Sequence, residues 1–319
     1  MNKNHNLNNF YRSISFFILA IITLSFCFSL TSCNSKKEDE MSSDIEISSQ
    51  NITSSEINLD SSMPQIPVDT QNNSQIINET PSYSIDNISQ IENLSNKKNG
   101  WGPGTGKNFS RPLGATDAQS KFGKYDSYYI APDSKKVYIT FDEGYENGYT
   151  PAILDTLKEK NVSGLFFVTY DFAKNNAELI KRMIDEGHIV GNHSHKHPSF
   201  PDISTQKMID EIQFLHNYIK ENFGYEMKYF RFPMGEFSEK SLAVCKALGY
   251  KSIFWSFAYL DWNVNSQPDP TTAFNTISKN AHNGCIYLLH AVSKTNTSIL
   301  GRVIDDIREK GYDISKFDL

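Results

Sequence analysis

The sequence predicts an α/β domain built on a parallel sheet, filling the C-terminal part of the chain. Three observations predict it. From about Lys136 onward, short apolar runs alternate with longer amphipathic ones. Alternating strands and helices pack as a parallel sheet with right-handed crossovers. Residues able to do chemistry recur just after the apolar runs, at the C-terminal strand ends where α/β folds gather their chemistry.

The elements follow in order. Strands are expected over 137–141, 164–168, 189–192, 229–232, 252–256 and 285–289, with a short last one near Tyr312. Helices are expected over 151–160, 177–186, 205–222, 238–248, 270–280 and 298–310. The helix at Ser238 carries a capping pattern, Ser238 with Ser241, followed by an apolar stripe at Leu242, Val244 and Cys245.

Asp142 and Glu143 follow the first strand, in Thr140-Phe141-Asp142-Glu143-Gly144. Adjacent carboxylates at the end of a buried strand are costly unless something pairs with them. His193 and His197 follow the third strand; histidines four apart point the same way from a helical turn, with His195 turned elsewhere. A carboxylate with two such histidines makes a three-ligand metal site with an open position, and the second carboxylate can act as a base. Arg231 ends the fourth strand, Asp261 and Trp262 follow the fifth after a short extension, and His290 ends the sixth. Singly, each has an ordinary explanation: a solvated acidic pair, a surface cation, a turn cap, a core tryptophan, a buried histidine. Their shared position across five strand ends argues for catalysis. His188 and His282 are expected to be structural, His195 and His216 to lie at the surface.

The order Thr-Phe-Asp-acid, His-Ser-x-x-His, Arg-x-Pro, Asp-Trp and Leu-Leu-His resembles the polysaccharide deacetylase (NodB-homology) family from about Lys136 to Leu319. Residues 142–150, 257–263 and 289–293 resemble the delta-lactam-biosynthetic de-N-acetylase subgroup, which acts on N-acetylmuramic acid of peptidoglycan and leads to the muramic δ-lactam of spore cortex. The resemblance implies a distorted (β/α) barrel of about seven strands. It implies Asp142 as base, His193 and His197 as metal ligands, Arg231 holding the base, and Asp261 orienting His290 as acid. Glu143 stands where most of the family has a metal-binding Asp, and Phe232 where the usual Arg-Pro-Pro has a proline.

The same residues suit amide hydrolysis. A divalent metal, with zinc the expected ion, on His193, His197 and the candidate Glu143 would acidify water and polarise an acetyl carbonyl. Asp142 would take the water's proton, oriented by Arg231. His290, charged beside Asp261, would protonate the departing nitrogen. Tyr145 is a candidate substrate contact beside the Gly144 turn, and Tyr259 and Trp262 offer flat faces to a sugar ring. The expected substrate is the peptidoglycan glycan strand. The alternatives are an N-acetylglucosamine deacetylase and a non-catalytic glycan-binding lipoprotein.

The first 33 residues read as an export signal. Lys3 and Arg12 precede the apolar run 14–30, and Leu30-Thr31-Ser32-Cys33 resembles a bacterial lipobox that would make Cys33 a lipidated N-terminus. An uncleaved transmembrane anchor is the alternative. Both place the domain outside the cytoplasm, tethered to the outer face of the cell membrane. Residues 34–98 read as a disordered tether, with eleven acidic groups and no Lys or Arg between Glu38 and Asn96. The domain is expected over 99–319; with 27 basic and 26 acidic groups from Lys97 on, charge gives no argument for nucleic acid. Cys245 and Cys285 are expected as buried thiols.

Overall fold

The computed structural model describes residues 88–104 and 109–319; the signal segment, Cys33 and residues 34–87 of the tether lie outside the described residues. The strands, in chain order, are β1 (Asn99–Gly100), β2 (Ser127–Tyr128), β3 (Lys136–Glu143), β4 (Leu165–Val168), β5 (Ile189–Asn192), β6 (Tyr229–Phe230), β7 (Glu236–Phe237), β8 (Lys251–Ile253), β9 (Ile286–His290) and β10 (Asp313–Ile314). Helices Thr150–Glu159, Ala177–Asp185, Thr205–Phe223, Glu239–Ala247, Pro270–Lys279 and Lys294–Glu309 match the six expected ones. Leu113–Phe122 and Tyr170–Asn175 are further helices.

The sheet runs β10-β3-β4-β5-β6-β8-β2, with β9 also paired to β3, and every pairing is parallel. One edge of β3 is shared: β10 takes Lys136 and Val137, and β9 takes Tyr138 to Asp142. The extension after β8 reaches β9 through a parallel bridge, Phe257 to Tyr287, which closes the ring. This is the distorted (β/α) barrel, with β2 and β10 as two-residue additions. Apart from Lys136, β3 is buried along its whole length, as a strand covered on both faces must be.

Strand alternation sorts the core into two layers. Val137, Ile139, Phe141, Phe166, Val168 and Val190 join the large cluster beneath the helices. Tyr138, Leu165, Phe167, Ile189, Ile253 and Ile286 form a small inner cluster. Asp142 shares the parity of Tyr138 and so stands on the inner face; Glu143 shares the parity of Phe141. Gly191 lets β5 pass Phe167, since a Cβ there would meet the ring at 2.6 Å.

Residues 88–98, which composition assigns to the tether, pack on the domain. They include a short helix, Ile88–Glu92, with Ile91 buried. Asn96 donates to the Pro201 carbonyl at 2.8 Å and accepts from Ser238 Oγ at 2.8 Å. Ser238 also makes the expected capping box with Ser241. Cys245 and Cys285 are buried and unbridged.

Candidate active site

Asp142 sits at the inner end of β3, and its Oδ1 accepts from Arg231 Nη1 at 2.7 Å. Arg231 is fully buried. Its Nε donates to the Ile253 carbonyl at 3.0 Å, its Nη2 to the Phe254 carbonyl at 3.2 Å, and the guanidinium lies 4.2 Å above the Phe167 ring. The cation is therefore fixed before it meets the carboxylate. Burial alone would raise the pKa of Asp142, but the charges of Arg231, then His193 and His290, outweigh it and hold the carboxyl below its ordinary value.

The register partner of Asp142 on β9 is His290, and the partner of that histidine, Asp261, is fully buried. It accepts from His290 Nδ1 at 2.7 Å, from the His290 backbone N–H at 2.9 Å and from Asn296 Nδ2 at 2.6 Å. Burial disfavours charge on His290, yet the hydrogen bond and charge of Asp261 overcome it and raise the pKa. Nδ1 is thereby committed to Asp261, leaving Nε2 for the cavity. Replacing Asp261 with Asn removes that charge and lowers the His290 pKa. The alkaline limb of the kcat profile should move to lower pH, because His290 serves only while protonated. An unshifted limb in Asp261→Asn would contradict the acid role.

His193 and His197 come together differently from the expected helical turn. They lie in an irregular loop after β5, in which Ser194 and His197 hold positive φ of 73° and 56°. Asn192 Oδ1 takes the Ser194 N–H at 2.8 Å, and Ser194 Oγ takes the His197 N–H at 2.9 Å, so two local turns replace the helix. Strain of this kind gathers at functional sites. His193 Nδ1 donates to the Arg231 carbonyl at 2.8 Å, which leaves a lone pair on Nε2. That atom lies 3.2 Å from His197 Nε2 and 3.6 Å from Asp142 Oδ2. Burial depresses the His193 pKa to about 4 and lowers that of the more open His197 as well, so both would meet a metal as neutral imidazoles. Two nitrogens each about 2.0–2.1 Å from one ion stand roughly 2.9–3.3 Å apart at right to tetrahedral angles. The pair fits a divalent ion.

Glu143 does not join them. It lines neither part of the cavity, and its carboxyl is fully buried with neither oxygen hydrogen-bonded. Burial, then Glu146 and Asp142, push its pKa well above the ordinary carboxylate value. Among the described residues, no group of three or more His, Cys, Asp or Glu is arranged to hold a metal. The reason is parity: successive side chains of a strand face opposite ways, so with Asp142 turned inward Glu143 faces the helix layer.

The cavity has two lobes, of about 440 and 450 Å3, that share Asp142, His193, His197, Trp262 and His290. Met234, Gly235, Trp255 and Tyr259 line the first; Gly144, Tyr145, Asn263, Val264 and Val292 line the second. Tyr145 and Trp262 stand at the rim, 53% and 56% exposed. The Tyr259 hydroxyl donates to Asn296 Oδ1, so Asn296 fixes both a wall and the acid's partner. The sequence reading missed Asn296, Met234 and Trp255. Asn296 was legible as the third residue after a capping Ser293, had the last helix been begun there. His188 and His282 take structural bonds, to the Gly164 N–H and to Ser256.

The arrangement suits amide hydrolysis. A divalent ion on His193 and His197 would supply an acidified water and a polarised carbonyl. Asp142, kept ionised and aimed by Arg231, is placed to accept the proton of an attacking water. His290 Nε2 would give its proton to the departing nitrogen as the C–N bond breaks. The products are an acetate and a free amine.

Residues 130–253 match the polysaccharide deacetylase family, and the chain belongs to it. The protein is a carbohydrate N-deacetylase, of a family whose members are generally metal-dependent. Peptidoglycan-N-acetylmuramic acid deacetylase PdaA of Bacillus subtilis is 41% identical over 231 residues, 72% of this chain and 88% of PdaA. The solved structure of PdaA, a family 4 carbohydrate esterase, aligns over 70% of this chain and 96% of that one with a TM-score of 0.67. A family 4 carbohydrate esterase from Bacillus anthracis is 42% identical over 70% of this chain and 95% of its own, with a TM-score of 0.57. Peptidoglycan-N-acetylglucosamine deacetylase PgdA of Listeria monocytogenes is 31% identical over 59% of this chain but only 39% of PgdA.

Proposed function

We propose that the protein removes the N-acetyl group from N-acetylmuramic acid residues of peptidoglycan, and that the product leads to the muramic δ-lactam of spore cortex. The observation that carries this is the 41% identity to PdaA across 88% of that protein. The paired Asp142–Arg231 and Asp261–His290 supply the chemistry, and aromatic lobes on both sides of them suit a glycan that continues in both directions. Zinc is the ion proposed for the two neutral imidazoles, which accept it as they do other divalent first-row metals.

Acetate release tests the substrate assignment. The full chain with added divalent metal should release acetate faster from peptidoglycan glycan than from chitin oligomers, which carry no lactyl groups. Equal rates would favour the N-acetylglucosamine reading, and no release from either would favour a non-catalytic glycan binder.

The enzyme works outside the cytoplasm, held to the membrane by lipid on Cys33. Cys33→Ala should release it from the membrane fraction or leave an unprocessed precursor. Unchanged membrane retention at the processed size would point to a different anchor.

A further inference from the structure

We propose that the segment Asn96–Trp101, outside the barrel, is a strap that shapes the substrate site, with Trp101 as its positioning residue. This rests on the reading that the two-lobed cavity binds glycan. The turn to be held is Met234–Gly235, which lines the first lobe. Met234 has φ of 57°, a left-handed backbone that non-glycine residues rarely adopt, and is 55% exposed. Gly235 follows at φ of 66°. A Cβ on Gly235 would lie 2.7 Å from the Trp255 ring and 3.2 Å from Trp101 Cβ, so turn, strap and lobe wall are in contact.

The strap fixes this turn from both sides. Strand β1 pairs antiparallel with β7, directly after the turn, with Gly100 opposite Glu236 and Asn99 opposite Phe237. The Trp101 backbone N–H donates to the Gly235 carbonyl at 3.0 Å. Its indole Nε1–H donates to the Trp255 carbonyl at 3.0 Å. Its ring packs edge-on against Tyr129 at 4.6 Å, and Tyr129 stacks on Phe254 at 4.2 Å. At its other end the strap is held through Asn96 and by Lys98, which pairs with Asp202 and with Glu236 at 3.2 Å. Trp101 lines neither lobe, yet it bonds to the main chain of two residues that line the first. A strained turn persists only where its surroundings over-determine it, and this one supports an exposed methionine above the catalytic groups.

The experiment is steady-state acetate release from peptidoglycan glycan by the full chain with divalent metal. Trp101→Phe keeps an aromatic ring but loses the indole donor. We expect KM to rise about threefold to tenfold, the scale of one lost hydrogen bond, with kcat within about twofold. Gly235→Ala, which keeps Trp101 but drives a methyl group against Trp255, raises KM in the same way. Combined with Met234→Ala, Trp101→Phe raises KM by less than the product of the single effects, because both act through one turn. A lower Tm in Trp101→Phe with unchanged KM, a fall confined to kcat, or multiplicative effects in the double variant overturn the proposal. A wild-type enzyme that releases no acetate from glycan overturns the functional reading, and this proposal with it.

Discussion

Asp142→Asn is expected to lower kcat by about 10²–10⁴-fold, the usual contribution of a general base. The asparagine keeps nearly the same volume and an oxygen to accept from Arg231 Nη1, 2.7 Å away in the wild type. It cannot take a proton from water. Arg231 then keeps a buried charge with two carbonyls and the Phe167 ring but no counterion. Breaking a buried pair costs about 3–5 kcal/mol, and the retained hydrogen bond places this variant at the low end. For a domain of this size that is a fall in Tm of roughly 6–12 °C, with the fold kept. Circular dichroism and kcat together check the outcome. Near-wild-type turnover in a folded Asp142→Asn would remove Asp142 from the base role.

His193→Ala and His197→Ala should each leave the purified protein without bound metal after dialysis. Each substitution removes half of a two-imidazole site. The loss in affinity should exceed the about 10–100-fold that losing an outer-shell partner costs. His193 carries more structure, because its Nδ1 holds the Arg231 carbonyl, so its alanine variant should also be the less stable of the two. Glu143→Gln is the contrasting arm. With its carboxyl turned to the helix layer, this variant should keep its metal. Metal content measured on all three proteins decides the ligand set. Retention in both histidine variants would make those side chains structural. Loss in Glu143→Gln would place that carboxylate on the ion, against the parity of β3.

The strands β3, β4, β5 and β9 were legible because a strand covered on both faces is an unbroken apolar run. Asp142, Arg231, Asp261 and His290 were legible because they terminate such runs or follow them closely. The opposite facing of Asp142 and Glu143 was written in the period of two, but family likeness argued for Glu143 as a ligand, and its longer side chain does not change the face it leaves from. The loop carrying His193 and His197 was found by spacing, although its turns depend on Asn192 and Ser194 rather than on helix. The strap could not be read: two-residue strands such as β1 and β7 have no periodicity to detect. The helix Leu113–Phe122 buries only Ala115 and Phe122, too thin a stripe to register.

The most direct test of the account is to locate the new amine. Peptidoglycan, with and without prior amidase treatment, is incubated with the full chain and divalent metal, digested to muropeptides, and read by tandem mass spectrometry. The account predicts that the acetyl group is lost from muramic acid, and that Asp142→Asn leaves the glycan unchanged. Loss of acetyl from glucosamine alone, or glycan unchanged by the metal-loaded wild type, would contradict it.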